Sequence, residues 1–99
     1  LVPPNGAFEI STLWHANIAS ASAPLVLRNV RTSGDVLMYV GGANGMLYEL
    51  NATNGAVSRS WSLAPGTTVG DPTFDYNDGI HQGIVVGTTA GTIHWVPIN

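Results

Sequence analysis

The sequence predicts an all-β chain with two small antiparallel sheets, built on a repeat of about 46 residues. Three observations predict it: landmark residues that recur in order, Asn-Gly dipeptides between apolar runs, and a lack of helical periodicity. The one Ala/Ser-rich stretch, residues 18–23, is too short to stand as a helix. We expect residues 1–99 to form a single domain, with repeat units near 5–63 and 64–99.

Four pairs of segments support the repeat. The longest pair reads strand, Gly, three loop residues, Gly, strand, and its members lie 46 residues apart; the other pairs lie 47 to 49 apart. The pairs are residues 38–50 with 84–96, 23–26 with 71–74, 5–8 with 54–57, and Trp14 with Trp61. Because all four recur in the same order, we expect both halves to form the same kind of sheet.

The turns and apolar runs place the individual strands. Asn44-Gly45 and Asn54-Gly55 favour hairpins, because Asn and Gly tolerate the positive φ of tight turns. Further turns are expected near residues 33–35, 64–66, 77–79 and 89–90. The expected strands lie near residues 7–14, 24–30, 36–41, 45–50, 56–63, 70–75, 83–88 and 91–97.

Residues 36–57 resemble the blade repeat of pyrroloquinoline-quinone-type (quinoprotein-like) β-propellers. The shared pattern is a strand, Gly, small residues, Asn-Gly and an apolar strand carrying Tyr; the later positions are Asn51, Thr53, Gly55 and Trp61. The likeness covers a full repeat at about 24–63 and part of a second at about 72–97. It implies blade geometry rather than one activity, since many members of the family bind no quinone.

Two blades are too few to close a propeller, which needs about 4–8. The resemblance therefore implies a partial propeller or a small sandwich of two sheets, with the strand near residues 7–14 able to complete the second blade. A different chain could cover the open sheets, or three or four copies could form a ring. We favour the sandwich or the partner-dependent unit over the ring.

The composition excludes several classes of partner. Charged residues are only 9% of the chain, Lys is absent, and the cations are Arg28, Arg31 and Arg59. Nucleic acid and anionic membrane surfaces both need clustered basic residues, so neither is expected. No apolar run approaches the roughly 20 residues of a transmembrane helix. The uncharged Asn/Thr/Gly surface and a start at Leu1 without Met favour an exported, processed product, periplasmic or at the cell surface.

Three Trp and one acidic segment are the candidate binding residues. Trp14, Trp61 and Trp95 could stack on a ligand or an interface, although packing between sheets is the commoner use of such residues. Asp75, Asn77 and Asp78 could hold calcium, but Gly79 stands at position five of the pattern, where a calcium loop needs Gly at six. A tight turn explains Asn77-Asp78-Gly79 equally well.

No residue set predicts catalysis. The chain has no Cys and no G-x-S-x-G nucleophile motif, and its His residues are too far apart for a zinc site. The Glu9 and Glu49 carboxylates have no identifiable partner in the sequence. We therefore expect no catalytic residue, no cofactor and no enzymatic activity.

Three functional hypotheses follow. The favoured one is an exported structural subunit whose open sheet edges are covered by protein partners in a surface or filament structure, for example the globular head of a two-chain type IV pilin. The absence of Lys and the few charges leave those edges poorly protected. The alternatives are a carbohydrate-binding blade module and a fragment of a quinoprotein dehydrogenase.

Overall fold

A computed structural model describes residues 14–30, 33–76 and 80–98. These ranges contain seven β-strands and no helix, which confirms the all-β prediction; no segment in them is a helix able to span a bilayer. The strands are β1 (Leu25–Arg28), β2 (Val36–Gly41), β3 (Met46–Asn51), β4 (Val57–Ser62), β5 (Thr73–Asp75), β6 (Gly83–Gly87) and β7 (Ile93–Pro97). The strand predicted near 7–14 lies outside the described residues, apart from Trp14.

Two strands, β1 and β5, are three residues shorter than the sequence predicts. β1 ends at Arg28 because Asn29 adopts a left-handed φ of 56°, and the N–H of Val30 then donates to Oδ1 of Asp35 at 2.9 Å. β5 begins at Thr73 because Pro72 has no N–H to donate to a neighbouring strand.

Sheet I is a four-stranded antiparallel meander in the order β1-β2-β3-β4. Gly45 in the β2–β3 turn has a φ of 79°, and a Cβ there would lie 2.2 Å from the Ala64 carbonyl oxygen, so only glycine fits. A β-bulge between Glu49 and Leu50 shifts the register with β4. The bulge therefore brings two successive β4 residues, Ser58 and Arg59, to the Glu49 side chain.

Sheet II is a three-stranded antiparallel sheet in the order β5-β6-β7, and its register matches that of sheet I. For example, Tyr39 faces Glu49 in sheet I, and Val85, 46 residues after Tyr39, faces Trp95 in sheet II. We call residues at the same register position in the two sheets counterparts. They lie 48 residues apart between β1 and β5, and 46 apart between β2 and β6 and between β3 and β7.

The segments that lead into β1 and β5 also pair alike. Ser20 bridges Gly42 just past the end of β2, and Val69 bridges Thr88 just past the end of β6. The N–H of the next residue donates to the strand in both cases, from Ala21 to the Gly41 carbonyl at 2.9 Å and from Gly70 to the Gly87 carbonyl at 2.8 Å. We extend the term counterpart to these two segments, which lie 49 residues apart.

The core lies between the two sheets, each of which contributes one face. Its buried residues are Leu37, Tyr39 and Leu47 from sheet I, Ile84, Val86 and Val96 from sheet II, and Val69 and Ile98 beside them. Side chains alternate between the faces of a strand, so Met38 and Val40 belong to the other face of sheet I, and Val85 and Ile93 to the other face of sheet II. We call these the outer faces.

The two sheets turn opposite sides of the shared register pattern toward the core. Tyr39 and Leu47 lie on the core face of sheet I, whereas their counterparts Val85 and Ile93 lie on the outer face of sheet II. The core face of sheet I therefore contacts the side of sheet II that corresponds to the outer face of sheet I. The side that carries Met38 in sheet I is the side that carries Ile84 in sheet II, and it faces away from the core in sheet I but into the core in sheet II.

Candidate functional site

The outer face of sheet II presents an open apolar surface. Ile93 is 75% exposed, Trp95 is 44% exposed, and Val85, which pairs with Trp95 across β6 and β7, is half-buried. Contiguous exposed apolar residues on a β-sheet face are typical of interaction sites, since single exposed residues need no explanation but a row of them does. We therefore take this face as the candidate functional site.

Trp95 is held in one orientation on that face. Its indole lies across Gly83 in β6, where a Cβ would come within 2.3 Å of the ring. Its Nε1–H donates to Oδ2 of Asp75 in β5 at 2.9 Å, which anchors the ring across all three strands. Glycine beneath the ring and a carboxylate at its edge thus position an apolar surface for contact with another molecule.

The corresponding face of sheet I shows what such a surface does when it is covered. Leu47 and Tyr39 are fully buried against sheet II, and their counterparts in sheet II are Ile93 and Val85. The same register positions are therefore a closed interface in one sheet and an open surface in the other.

The outer face of sheet I is partly covered by the segment that precedes β1. In this segment the indole Nε1–H of Trp14 donates to the carbonyl of Ala52 at 2.9 Å, and its ring lies against Gly55 in the β3–β4 turn. Between this segment and the sheet remains an open cleft of about 170 Å³. It is lined by Trp14, Ala16, Ile18, Ser20 and Pro24 from the segment and by Met38, Val40 and Leu50 from the sheet.

A buried ionic cluster joins the two sheets. The Glu49 carboxylate is fully buried and accepts hydrogen bonds from Tyr39 Oη at 2.5 Å and from Ser58 Oγ at 2.8 Å. Arg59 binds it with two nitrogens, Nε at 3.1 Å and Nη2 at 2.8 Å. The same Nη2 also donates to the carbonyl of Ile98, which follows β7, at 2.8 Å. Arg59 therefore connects β3 and β4 to the end of sheet II.

The cluster keeps Glu49 ionised. Burial alone raises the pKa of this carboxyl, but the hydrogen bonds from Arg59, Tyr39 and Ser58 and the positive charge of Arg59 outweigh it. The net effect holds the pKa of Glu49 below its ordinary value of 4.5. Both oxygens of the Glu49 carboxylate accept hydrogen bonds from neighbours in the cluster, which fits a structural role.

The structure separates the three predicted Trp. Trp14 lies half-buried on the outer face of sheet I, and Trp61 packs half-buried against the core beneath the guanidinium of Arg59, 4.9 Å from its ring centroid. Trp95 alone of the three is exposed on an open face.

The calcium prediction has one member inside the described residues. Asp75 accepts the Trp95 indole N–H, while Asn77 and Asp78 lie outside the described residues. Within the described ranges, no group of three His, Asp or Glu side chains could hold a metal ion.

The sequence analysis missed the partner of Glu49. Arg59 lies ten residues later, across the hairpin at Asn54-Gly55, and the β3–β4 register pairs the two residues directly. A regular hairpin around that dipeptide would place Ser60 opposite Glu49, because residues equidistant from a turn face each other, whereas the observed register, with its bulge between Glu49 and Leu50, places Arg59 there. No protein-family model, no curated protein and no solved structure matches this chain.

Proposed function

We propose that the chain is a non-enzymatic assembly module that packs against another β-sheet through the outer face of sheet II. The observation that carries the proposal is the pair Leu47 and Ile93: counterparts in register, one fully buried between sheets and the other 75% exposed. Burial of an aliphatic side chain of this size contributes about 1.5–3 kcal/mol. A face with several such positions therefore gains from a partner.

The partner's chemistry follows from the contact inside the chain. The core face of sheet I is covered by an aliphatic sheet face that presents Ile84, Val86 and Val96. A partner for the outer face of sheet II would offer a similar flat, aliphatic, antiparallel sheet. This arrangement supports a blade-type repeat, in which like sheets follow one another in one orientation.

The proposal places the module outside the cytoplasm, in a cell-surface or filament structure. The low content of charged residues and the absence of Lys support it, because charged residues are depleted at surfaces that are buried against neighbouring subunits. The globular head of a two-chain type IV pilin is one form that fits a chain of this size.

Mass measurements test the proposal. Light scattering after size exclusion would be applied to protein isolated from cells that produce it and to the recombinant chain alone. We expect the isolated material to have a mass well above the 10.3 kDa of one chain. Single chains from both sources would show the proposal to be wrong.

A charge placed on the open face should prevent assembly. Ile93→Asp, expressed in the producing cells, should reduce recovery of the chain in the large particle by about 10-fold, because the new carboxylate would be buried without a partner. Ser33→Asp adds the same charge at the exposed β1–β2 turn of sheet I and is the matched control. Equal recovery of the two variants would contradict the proposed face.

The geometry of Trp95 favours carbohydrate binding as a second candidate function. An exposed indole fixed across Gly83, with the Asp75 carboxylate at its edge, presents an apolar surface beside a hydrogen-bond acceptor. Sugar rings combine an apolar face with hydroxyl groups at the rim, and this pairing complements both.

Fluorescence distinguishes this candidate from assembly. If a glycan binds, titration with soluble oligosaccharides should change the tryptophan emission saturably, Trp95→Ala should abolish the change, and the half-buried Trp61→Phe variant should retain it. A dissociation constant above about 10 mM is weaker than that of most specific sites. Tryptophan emission that does not change with any sugar up to about 10 mM would therefore exclude carbohydrate as the ligand.

A further inference from the structure

We propose that the sheet that covers the outer face of sheet II belongs to a second copy of this chain. The copies would associate head to tail, with the outer face of sheet II in one copy against the outer face of sheet I in the next. This inference rests on the proposed function and names its partner. The inference is based on a match between the residues that line the cleft on sheet I and the core residues of sheet II.

The cleft reproduces the sheet surface that covers Leu47. Leu47 belongs to the core with Ile84, Val86 and Val96 of sheet II. The counterparts of those three residues in sheet I are Met38, Val40 and Leu50, and all three line the cleft.

The side chain that would enter the cleft is also given by the register. The counterpart of Leu47 is Ile93, the most exposed of the large apolar side chains among the described residues. If each residue of the contact between sheets I and II is replaced by its counterpart, Ile93 of one copy takes the place of Leu47 and lies in the cleft of the next copy.

The tryptophans agree with this placement. Trp61 in β4 faces Leu47 across the sheet. Trp14 precedes Trp61 by 47 residues, at the corresponding place in the repeat, and it lines the cleft. In the proposed contact, Trp14 of the second copy lies beside Ile93 of the first, as Trp61 lies beside Leu47.

Glycine at the rim of the face makes the match more specific. A Cβ on Gly41 would lie 2.5 Å from the Val69 carbonyl oxygen and 2.6 Å from that of Gly70, so the segment leading into β5 rests directly on this glycine. The counterpart of Gly41 is Gly87, where a Cβ would meet nothing nearer than Ile93 Cδ1 at 3.4 Å. Among the described residues, Gly87 thus has the same open backbone with no segment resting on it.

The segment that would rest on Gly87 is available on a second copy. The counterparts of Val69 and Gly70 are Ser20 and Ala21, which lead into β1 with the same pairing to their strand. Both are exposed. Close approach of this backbone to Gly87 needs the absence of a Cβ there.

A contact of this kind joins two different surfaces, so each added copy leaves one surface of each type free. Such interfaces produce rings when the rotation closes and filaments when it does not. The same interface therefore serves both a filament and a ring.

The experiment uses variants that block one surface each. Ile93→Asp and Gly87→Ala alter the outer face of sheet II, while Ser20→Phe fills the cleft of sheet I from an exposed position. Sedimentation would be measured from about 1 µM to about 1 mM, the range of transient to stable contacts. We expect the mass of the unaltered chain to rise above 10.3 kDa with concentration, and each variant to raise the dissociation constant by at least about 10-fold.

Mixing the variants tests the head-to-tail geometry. An equimolar mixture of Ile93→Asp and Ser20→Phe should form a one-to-one dimer and nothing larger, because one good surface of each type remains. Gly87→Ala is the least disturbing change and keeps the test decisive if either other variant unfolds. A mixture that stays monomeric while the unaltered chain associates would overturn the geometry.

Failure of this inference is distinguishable from failure of the proposed function. An unaltered chain that stays monomeric to about 1 mM, while the material from producing cells is a large particle with a different protein, would overturn the second-copy partner and leave the assembly role in place. Single chains in both preparations would overturn both.

Discussion

Replacing Arg59 with methionine is expected to lower the free energy of unfolding by about 3 kcal/mol. The fully buried Glu49 carboxylate would lose the cation that binds it with two nitrogens, and the carbonyl of Ile98 would lose its donor. Breaking a buried ion pair costs about 3–5 kcal/mol, and the lower end applies because Arg59 is 36% exposed and partly screened by water. Urea denaturation would measure the change, which corresponds to a fall in Tm of about 15 °C for a domain of this size.

The loss should depend on pH in a way that identifies its cause. In the native protein the pKa of Glu49 is lowered, so its stabilising effect is complete above its ordinary value of 4.5 and is lost as the pH falls through the lowered value. Without Arg59, burial dominates, the pKa of Glu49 rises, and the carboxyl folds more readily in its protonated form. The difference in the free energy of unfolding between the unaltered chain and the Arg59→Met variant should therefore become smaller as the pH is reduced from about 7 to about 4.

Arg28→Met is the matched control, since it removes the same charge from an exposed position on β1. Its effect should stay within about 0.5 kcal/mol, as for most surface substitutions. Equal effects of the two arginine variants, or a difference that does not change with pH, would show that the Glu49 cluster does not hold the sheets together.

The strands of this chain were predictable because their signals are local. The glycines at 45 and 55 and the apolar run at 36–41 determine hairpins without help from distant residues, and β2, β3 and β4 lie within one residue of their predicted limits. Two of the ends that moved did so for equally local reasons: Asn29 turns the chain, and Pro72 has no N–H to donate.

The face that each residue occupies was not predictable in the same way. Alternation divides a strand into two sets, but both sets of β2 are apolar, so the sequence does not say which set meets the other sheet. Trp95 and Trp61 illustrate the difficulty, since both are single aromatic residues on strands and only their neighbours decide that one is exposed and the other lies beneath Arg59. The Glu49 cluster depends in addition on a bulge, which has no clear signal in the sequence.

Replacing Gly41 with alanine is the second change expected to have a large effect, about 3 kcal/mol of lost stability. The new Cβ would lie 2.5 and 2.6 Å from two backbone carbonyl oxygens, those of Val69 and Gly70, and backbone cannot move aside as a side chain can. The segment between the sheets would have to shift, and with it the buried side chain of Val69. Thermal and urea unfolding of the unaltered chain and the Gly41→Ala variant would measure the loss of stability.

Gly87→Ala separates this clash from the general effect of adding a methyl group to a strand. Gly87 occupies the corresponding position in sheet II, but its nearest neighbours, Ile93 Cδ1 at 3.4 Å and the Thr92 carbonyl oxygen at 3.9 Å, leave room for a Cβ. Alanine there should be neutral or stabilise by about 0.5 kcal/mol, because glycine in a strand has a larger entropy to lose on folding. Both variants would be made in an Ile93→Asp background, so that association contributes nothing to the measured stability. A loss of the same size at both glycines would mean that the strands, and not the close approach of residues 69 and 70, demand glycine; in that case Gly87 would also lose its role as the open counterpart of a covered site.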